Sequence, residues 1–121
     1  MRCWLKESSV LEMSISDAAW LAGFLDGEGS ISDFMGGRNC KYRTWRLSAP
    51  NTVLKSLQKC KRIAGVGNIC VKQEKTDRKK KQWQWQLGAQ RDIKKILEQV
   101  LPYLVIKRNK AKRFLRLFKE L

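Results

Sequence analysis

Histidine is missing from the sequence altogether. That absence excludes Ser-His-Asp and Cys-His nucleophile chemistry and histidine-ligated metal centres, so any catalysis has to run on carboxylates, lysines or a metal. Cysteine is sparse: Cys3, Cys40, Cys60 and Cys70 are widely spaced and form no CxxC pair. Reduced structural thiols are expected, with disulfides or a metal site as the other readings. Long apolar runs are lacking too, and none approaches the roughly 18 residues of a membrane span. The amino end, Met1 to Met13, is mixed in charge and has no apolar signal core. An intracellular protein with no membrane partner is expected. Acids are the last shortage. Against 26 Lys and Arg there are 11 Asp and Glu, a net charge of +15 with a pI near 10.1. Solubility does not need so much charge, so a polyanionic partner is expected, nucleic acid first.

What is present fits one packed domain, with 121 residues of which 43% are hydrophobic and 31% charged. Residues 1–13 read as an N-terminal extension and 14–121 as the domain. Ser14 and Ser16 supply hydroxyl caps and Asp17 an early carboxylate for a helix over about residues 17–26. Nearly all of Ala18 to Leu25 is apolar, so no face of this helix prefers water, and it must be buried, in part against a partner. Ala19, Gly23 and Gly27 recur every four residues, a ridge of small residues that another helix backbone can approach closely.

Strands over 29–35 and 41–49 flank Gly36-Gly37-Arg38-Asn39, a hairpin turn, and Pro50 should stop the second of them. An amphipathic helix over 51–64 follows, with Leu54, Leu57, Cys60 and Ala64 inward and Lys55, Lys59, Lys61 and Arg62 outward, closed by Gly65-Val66-Gly67. A second hairpin spans 68–74 and 81–87 around a basic tip. In its last strand Trp83, Trp85 and Leu87 alternate with Gln82, Gln84 and Gln86, which turns the tryptophans toward a core. Helices over 91–101 and 107–121 complete an α+β chain of order αββαββα with an extra C-terminal helix. Most of the excess positive charge lies from Lys72 onward.

Chemistry concentrates at Asp26-Gly27-Glu28-Gly29, two acids directly after the apolar helix, with glycines that free the backbone to turn. The nine residues Leu21-Ala22-Gly23-Phe24-Leu25-Asp26-Gly27-Glu28-Gly29 resemble, in register, the signature of the LAGLIDADG homing endonucleases. Leu101-Pro102-Tyr103-Leu104-Val105-Ile106-Lys107 with Lys110-Ala111, Ala64 to Ile69, and the Trp-x-Trp strand resemble later segments of the same family, so the likeness runs over 14–121. A single motif implies the homodimeric type.

That resemblance implies a site-specific double-strand DNA homing endonuclease that cuts a long, pseudo-palindromic site by metal-assisted phosphodiester hydrolysis and leaves 3′ overhangs. It implies Mg²⁺ as cofactor, with Glu28 and the adjacent Gly27 as metal positions; the family more often has Asp where Glu28 stands. Lys107 matches the family's basic-pocket lysine, where an ammonium activates water or stabilises the phosphate. The family's polar position after the second strand falls on Ala49, Pro50 or Asn51, of which Asn51 is the amide and the third catalytic candidate. Two copies of the helix would pack about a two-fold through Ala19, Trp20, Gly23, Phe24, Asp26 and Gly27, bringing the two Glu28 carboxylates together. A cation between them and the phosphates relieves the repulsion.

The sheet would enter the DNA major groove, with Ser30, Ser32, Arg38, Lys41, Arg43, Lys72, Gln82, Gln84 and Gln86 reaching bases. Lys75, Arg78 and Lys80 would meet phosphates, which gives affinity and salt dependence but no base selectivity. The competing reading is a maturase-like protein that keeps the fold, binds intron RNA and has lost cleavage. The family also implies a reading frame in a group I intron or a free-standing one, in a chloroplast, a mitochondrion or the cytoplasm of a bacterium or phage.

Overall fold

In a computed structural model the described residues are 8–36 and 42–119. Helix α1 (Ile15–Glu28) opens two residues earlier than expected, with Ser14 of the two candidate serines as its cap: the Ser14 side chain accepts from the Asp17 backbone N–H at 3.1 Å. It extends two residues further than the sequence suggests, so Glu28 is its last residue. Strands β1 (Ser30–Gly36) and β2 (Tyr42–Asn51) pair antiparallel, Ser30 opposite Ser48. Helix α2 (Leu54–Ala64) leads to β3 (Asn68–Gln73) and β4 (Gln82–Leu87). Helix α3 (Gln90–Val100) runs into a single 3₁₀ turn over Leu101–Tyr103, and α4 (Arg108–Lys119) ends the described chain. The four strands form one antiparallel sheet in the order β1-β2-β4-β3. Among the described residues no helix is long and apolar enough to cross a membrane.

The boundaries on either side of Pro50 also differ from expectation. Pro50 does not end β2; it pairs with Gln84, and the strand continues to Asn51. The reason lies in the neighbours. Strand β1 begins opposite Ser48, so beyond that point β2 is hydrogen-bonded on one side only, an edge on which a residue without an N–H is tolerated. Helix α2 consequently starts later, at Leu54, after a turn in which Asn51 Oδ1 accepts from the Val53 N–H at 2.8 Å.

The core lies between one face of the sheet and the helices. Ile31, Trp45, Leu47, Ala49, Trp85 and Leu87 contribute from the strands. Leu21, Ala22 and Leu25 of α1, Leu57 and Ile63 of α2, Ile93, Ile96, Leu97 and Val100 of α3, and Phe114 of α4 meet them. Trp85 is fully buried and Trp83 half-buried against the core. Trp45 and Phe114 meet edge to face, their centroids 5.0 Å apart. Residues 8–13, assigned above to an extension, pack onto this body: Val10 is buried, the Leu11 N–H donates to the Ala64 carbonyl at 2.9 Å, and Gln99 bonds both Met13 N and Leu11 O.

Helix α1 meets expectation by half. Ala18, Leu21, Ala22 and Leu25 are buried, whereas Ala19, Gly23 and Gly27 face outward, and a Cβ built at either glycine meets nothing within 4 Å. Trp20 and Phe24 stack at 5.2 Å along its flank, half-buried, with the Lys59 ammonium 4.4 Å from the Trp20 ring.

Of the four cysteines, Cys3 and Cys40 lie outside the described residues; Cys60 and Cys70 are free thiols. Burial pushes the Cys60 thiol up to about 12, because the thiolate loses its solvation in the core. Cys70 is exposed on β3.

Two tests follow from this packing. At Gly67 φ is +103°, and an added Cβ would run into Trp85 Nε1, the atom that donates to the Val66 carbonyl at 3.0 Å. Gly67→Ala is expected to cost at least about 2 kcal/mol in urea unfolding, from backbone strain plus overpacking; an unchanged midpoint contradicts this packing. Iodoacetamide at pH 8 is expected to label Cys70 in the folded protein and to spare Cys60 until the chain unfolds, as read by mass spectrometry. Equal labelling of the two would contradict the burial of Cys60.

Candidate functional site

The carboxyl end of α1 leaves its last carbonyls without partners inside the helix, and that end of a helix carries partial negative charge. Two of these carbonyls are satisfied, one by the residue that follows the helix and one by a distant lysine. Leu25 O accepts from the Gly29 N–H at 2.8 Å, and Asp26 O accepts from Lys107 Nζ at 3.1 Å. No described residue donates to Gly27 O, and the exposed Glu28 carboxylate makes no hydrogen bond or ion pair with a described residue. A carbonyl and an uncommitted carboxylate thus sit side by side at a negative helix end.

Asp26 is differently placed. Its Oδ2 accepts from the Val105 N–H at 2.8 Å and its Oδ1 from the Lys107 N–H at 2.9 Å, so both oxygens are committed within the chain. The segment it holds runs from the buried Leu104 to Lys107, whose carbonyl accepts the Ala111 N–H at 3.0 Å and so opens α4. Val105 and Ile106 between them point outward, 79% and 73% exposed. The sequence suggests a capping or interface contact for Asp26; which backbone N–H groups it meets, in a segment 79 residues away, was not legible there.

Of the three catalytic candidates, the structure brings Glu28 and Lys107 to one helix end. Asn51 ends β2 with its Oδ1 taken by Val53, and no hydrogen bond joins it to either of the others. Ala49, an alternative for the same position, is fully buried, and Pro50 pairs with β4.

No group of three or more metal-ligating side chains exists among the described residues. One free carboxylate beside one free carbonyl suits a hard divalent cation that takes its remaining ligands from water and phosphate, the usual manner of Mg²⁺. The donor set fits that ion, and it does not suit a closed structural site.

The face of the sheet away from the helices is polar. Alternation sets Ser30 and Ser32 of β1, Thr44, Arg46 and Ser48 of β2, and Gln82, Gln84 and Gln86 of β4 on it, in register: Ser32 opposite Arg46, Ser48 opposite Gln86. Lys72 is exposed where the β3 register shifts, and Lys75, Arg78 and Lys80 are exposed at the tip beyond it. A cavity of about 350 Å³ lies at this end, lined by Thr52, Gln73, Lys79, Lys80 and Gln82. Arg38 and Lys41 fall outside the described residues; Arg43 belongs to β2 by its backbone, but its side chain is outside them too. Arg46 is the residue that sequence reasoning missed. The alternation of Trp45, Leu47 and Ala49 carried the signal, since whatever lies between buried positions faces the other way.

No family model matches the chain, and no curated protein matches it. Solved structures do. The homing endonuclease I-CvuI, in complex with its target in the presence of Ca, is 26% identical with a TM-score of 0.74, over 88% of this chain and 68% of that one. A further I-CvuI structure, with DNA and Mg, shows the DNA not cleaved. The archaeal intron-encoded homing endonuclease I-Vdi141I complexed with DNA is 14% identical, TM-score 0.65, over 82% of this chain and 64% of that one. The group I intron-encoded I-CeuI complexed with DNA is 18% identical, TM-score 0.65, over 91% and 58%. Four antiparallel strands in one sheet, backed by helices and entered from an apolar helix that ends in Asp-Gly-Glu-Gly, give this chain the fold of the LAGLIDADG homing endonucleases.

Proposed function

We propose that the protein is a site-specific DNA endonuclease that acts as a Mg²⁺-dependent homodimer and cuts both strands of a long, nearly two-fold symmetric site. The observation that carries this reading is the carboxyl end of α1. There an uncommitted carboxylate, Glu28, and an uncommitted carbonyl, Gly27, sit in the same helix end as a bonded ammonium, Lys107. Directly behind them lies an apolar helix face with open space at Gly23 and Gly27. Docking of a second α1 on that face would be isologous and would place one Glu28 beside the other, one for each scissile phosphate. The DNA-bound state of the I-CvuI, I-Vdi141I and I-CeuI structures supports the same reading.

In that reaction Glu28 and the Gly27 carbonyl would hold the cation. A bound divalent ion supplies Lewis-acid chemistry: it neutralises charge on the phosphate and acidifies water. The chain does the remaining work. Lys107 sets a positive charge, fixed by its bond to Asp26 O, where the phosphate oxygens gain negative charge as water adds to phosphorus and the bond to the leaving sugar oxygen breaks. Asn51 offers its amide NH₂ to water, its Oδ1 being engaged by Val53.

Binding falls to the polar sheet face. Gln82, Gln84 and Gln86 with Arg46 would meet base edges, where each bidentate pair discriminates by about 1–3 kcal/mol. Ser30, Ser32 and Lys72 flank them, while Lys75, Arg78 and Lys80 would hold phosphates.

Glu28→Gln tests this directly, because it keeps the shape and removes the charge. Cutting of the target duplex in Mg²⁺ is expected to fall by at least about 100-fold, while DNA affinity in Ca²⁺ stays within about threefold, since the sheet face is untouched. Unchanged cutting by the variant overturns the assignment of Glu28.

A further inference from the structure

We infer that Asp26 is a positioning residue that sets the Lys107 ammonium at the reaction centre; this rests on the nuclease reading above. Three hydrogen bonds join Asp26 and the segment that bears Lys107. The two carboxylate oxygens take the N–H groups of Val105 and Lys107, at 2.8 and 2.9 Å, and Lys107 Nζ returns to the Asp26 carbonyl at 3.1 Å. Main chain and side chain of Lys107 are therefore held by the same residue, closing a ring across 81 positions of sequence. Both Asp26 oxygens already accept a backbone N–H, whereas the Glu28 carboxylate, two residues on, has no bond to a described residue.

The neighbours explain why the arrangement depends on this one carboxylate. Val105 and Ile106 are about three-quarters exposed, so the segment has no buried apolar side chain to anchor it between Leu104 and Lys107. Its backbone N–H groups are the anchor, and Asp26 is what they bond. Charge-assisted bonds from a carboxylate to backbone N–H groups are the stronger kind, and here they also lie at the start of α4, where a negative group is favoured. Without them Lys107 keeps its charge but loses its address.

Asp26→Asn removes one acceptor and opposes an N–H with an N–H₂. In single-turnover cutting of the target duplex the rate is expected to fall by about 10- to 100-fold, the usual effect of a misplaced group, with DNA affinity in Ca²⁺ unchanged. In a Lys107→Ala background the same substitution is expected to bring no further loss, and amide exchange followed by NMR is expected to accelerate at Val105 and Lys107 while the Leu97 and Trp85 amides stay protected. Asp26→Glu, which keeps both oxygens on a longer stem, carries the same comparison if the Asn variant does not fold, with a smaller loss expected. An equal loss in the Lys107→Ala background, a loss in affinity rather than rate, or unaltered exchange at Val105 and Lys107 overturns the positioning role. Wild-type protein that leaves the duplex uncut overturns the nuclease reading instead.

Discussion

Helix α1 carries apolar side chains around its whole circumference, and the described chain buries only one side of it. Ala18, Leu21, Ala22 and Leu25 lie in the core, while Ala19, Gly23 and Gly27 look outward into open space and Ile15, at the helix start, is 76% exposed. A helix of this kind in water needs a second cover. Glycines in a helix interior cost about 0.5–1 kcal/mol each, a cost that close approach of another backbone offsets. The same helix end carries Glu28 and, through Asp26, Lys107. Covering the open face and assembling two cleavage centres would then be a single event, which is the physical content of the dimer proposal.

The sheet obeys a similar division. One face is consumed by Trp45, Leu47, Ala49, Trp85 and Leu87, and strand alternation forces Arg46, Ser48 and the three glutamines onto the other. Pairing of β2 with β4 at the middle of the sheet sets the Arg46 strand beside the glutamine strand, so Arg46 and the glutamines converge on one face. The basic tip beyond β3 and β4, with Lys79 and Lys80 lining its cavity, extends that face with positive charge.

Much of this was legible from the residues because the periodicities are strong. The serines before Asp17 announced the start of α1, Gly65 the close of α2, which it caps at φ +78°, and Trp83, Trp85 and Leu87 the inward face of β4. What escaped the sequence has physical causes. Pro50 reads as a breaker unless one knows that β1 stops short of it and leaves an edge. The contribution of residues 8–13 depends on Gln99 and Ala64, whose distance along the chain no local pattern encodes. Glu28 and Lys107 came from likeness to a family motif, and the contacts that join their surroundings, from Asp26 to Val105 and Lys107, are tertiary. Arg46 was within reach of alternation alone.

Cutting of DNA by a two-fold pair of these chains with a divalent cation is what the proposed function requires. Incubating the purified protein with a randomised duplex library in Mg²⁺, with Ca²⁺ as control, and sequencing the cut ends tests it most directly. One target with two-fold related halves, cut on both strands in Mg²⁺ and bound but intact in Ca²⁺, is the result predicted. Binding without cutting in either ion, with tighter binding to RNA than to duplex DNA, would contradict it.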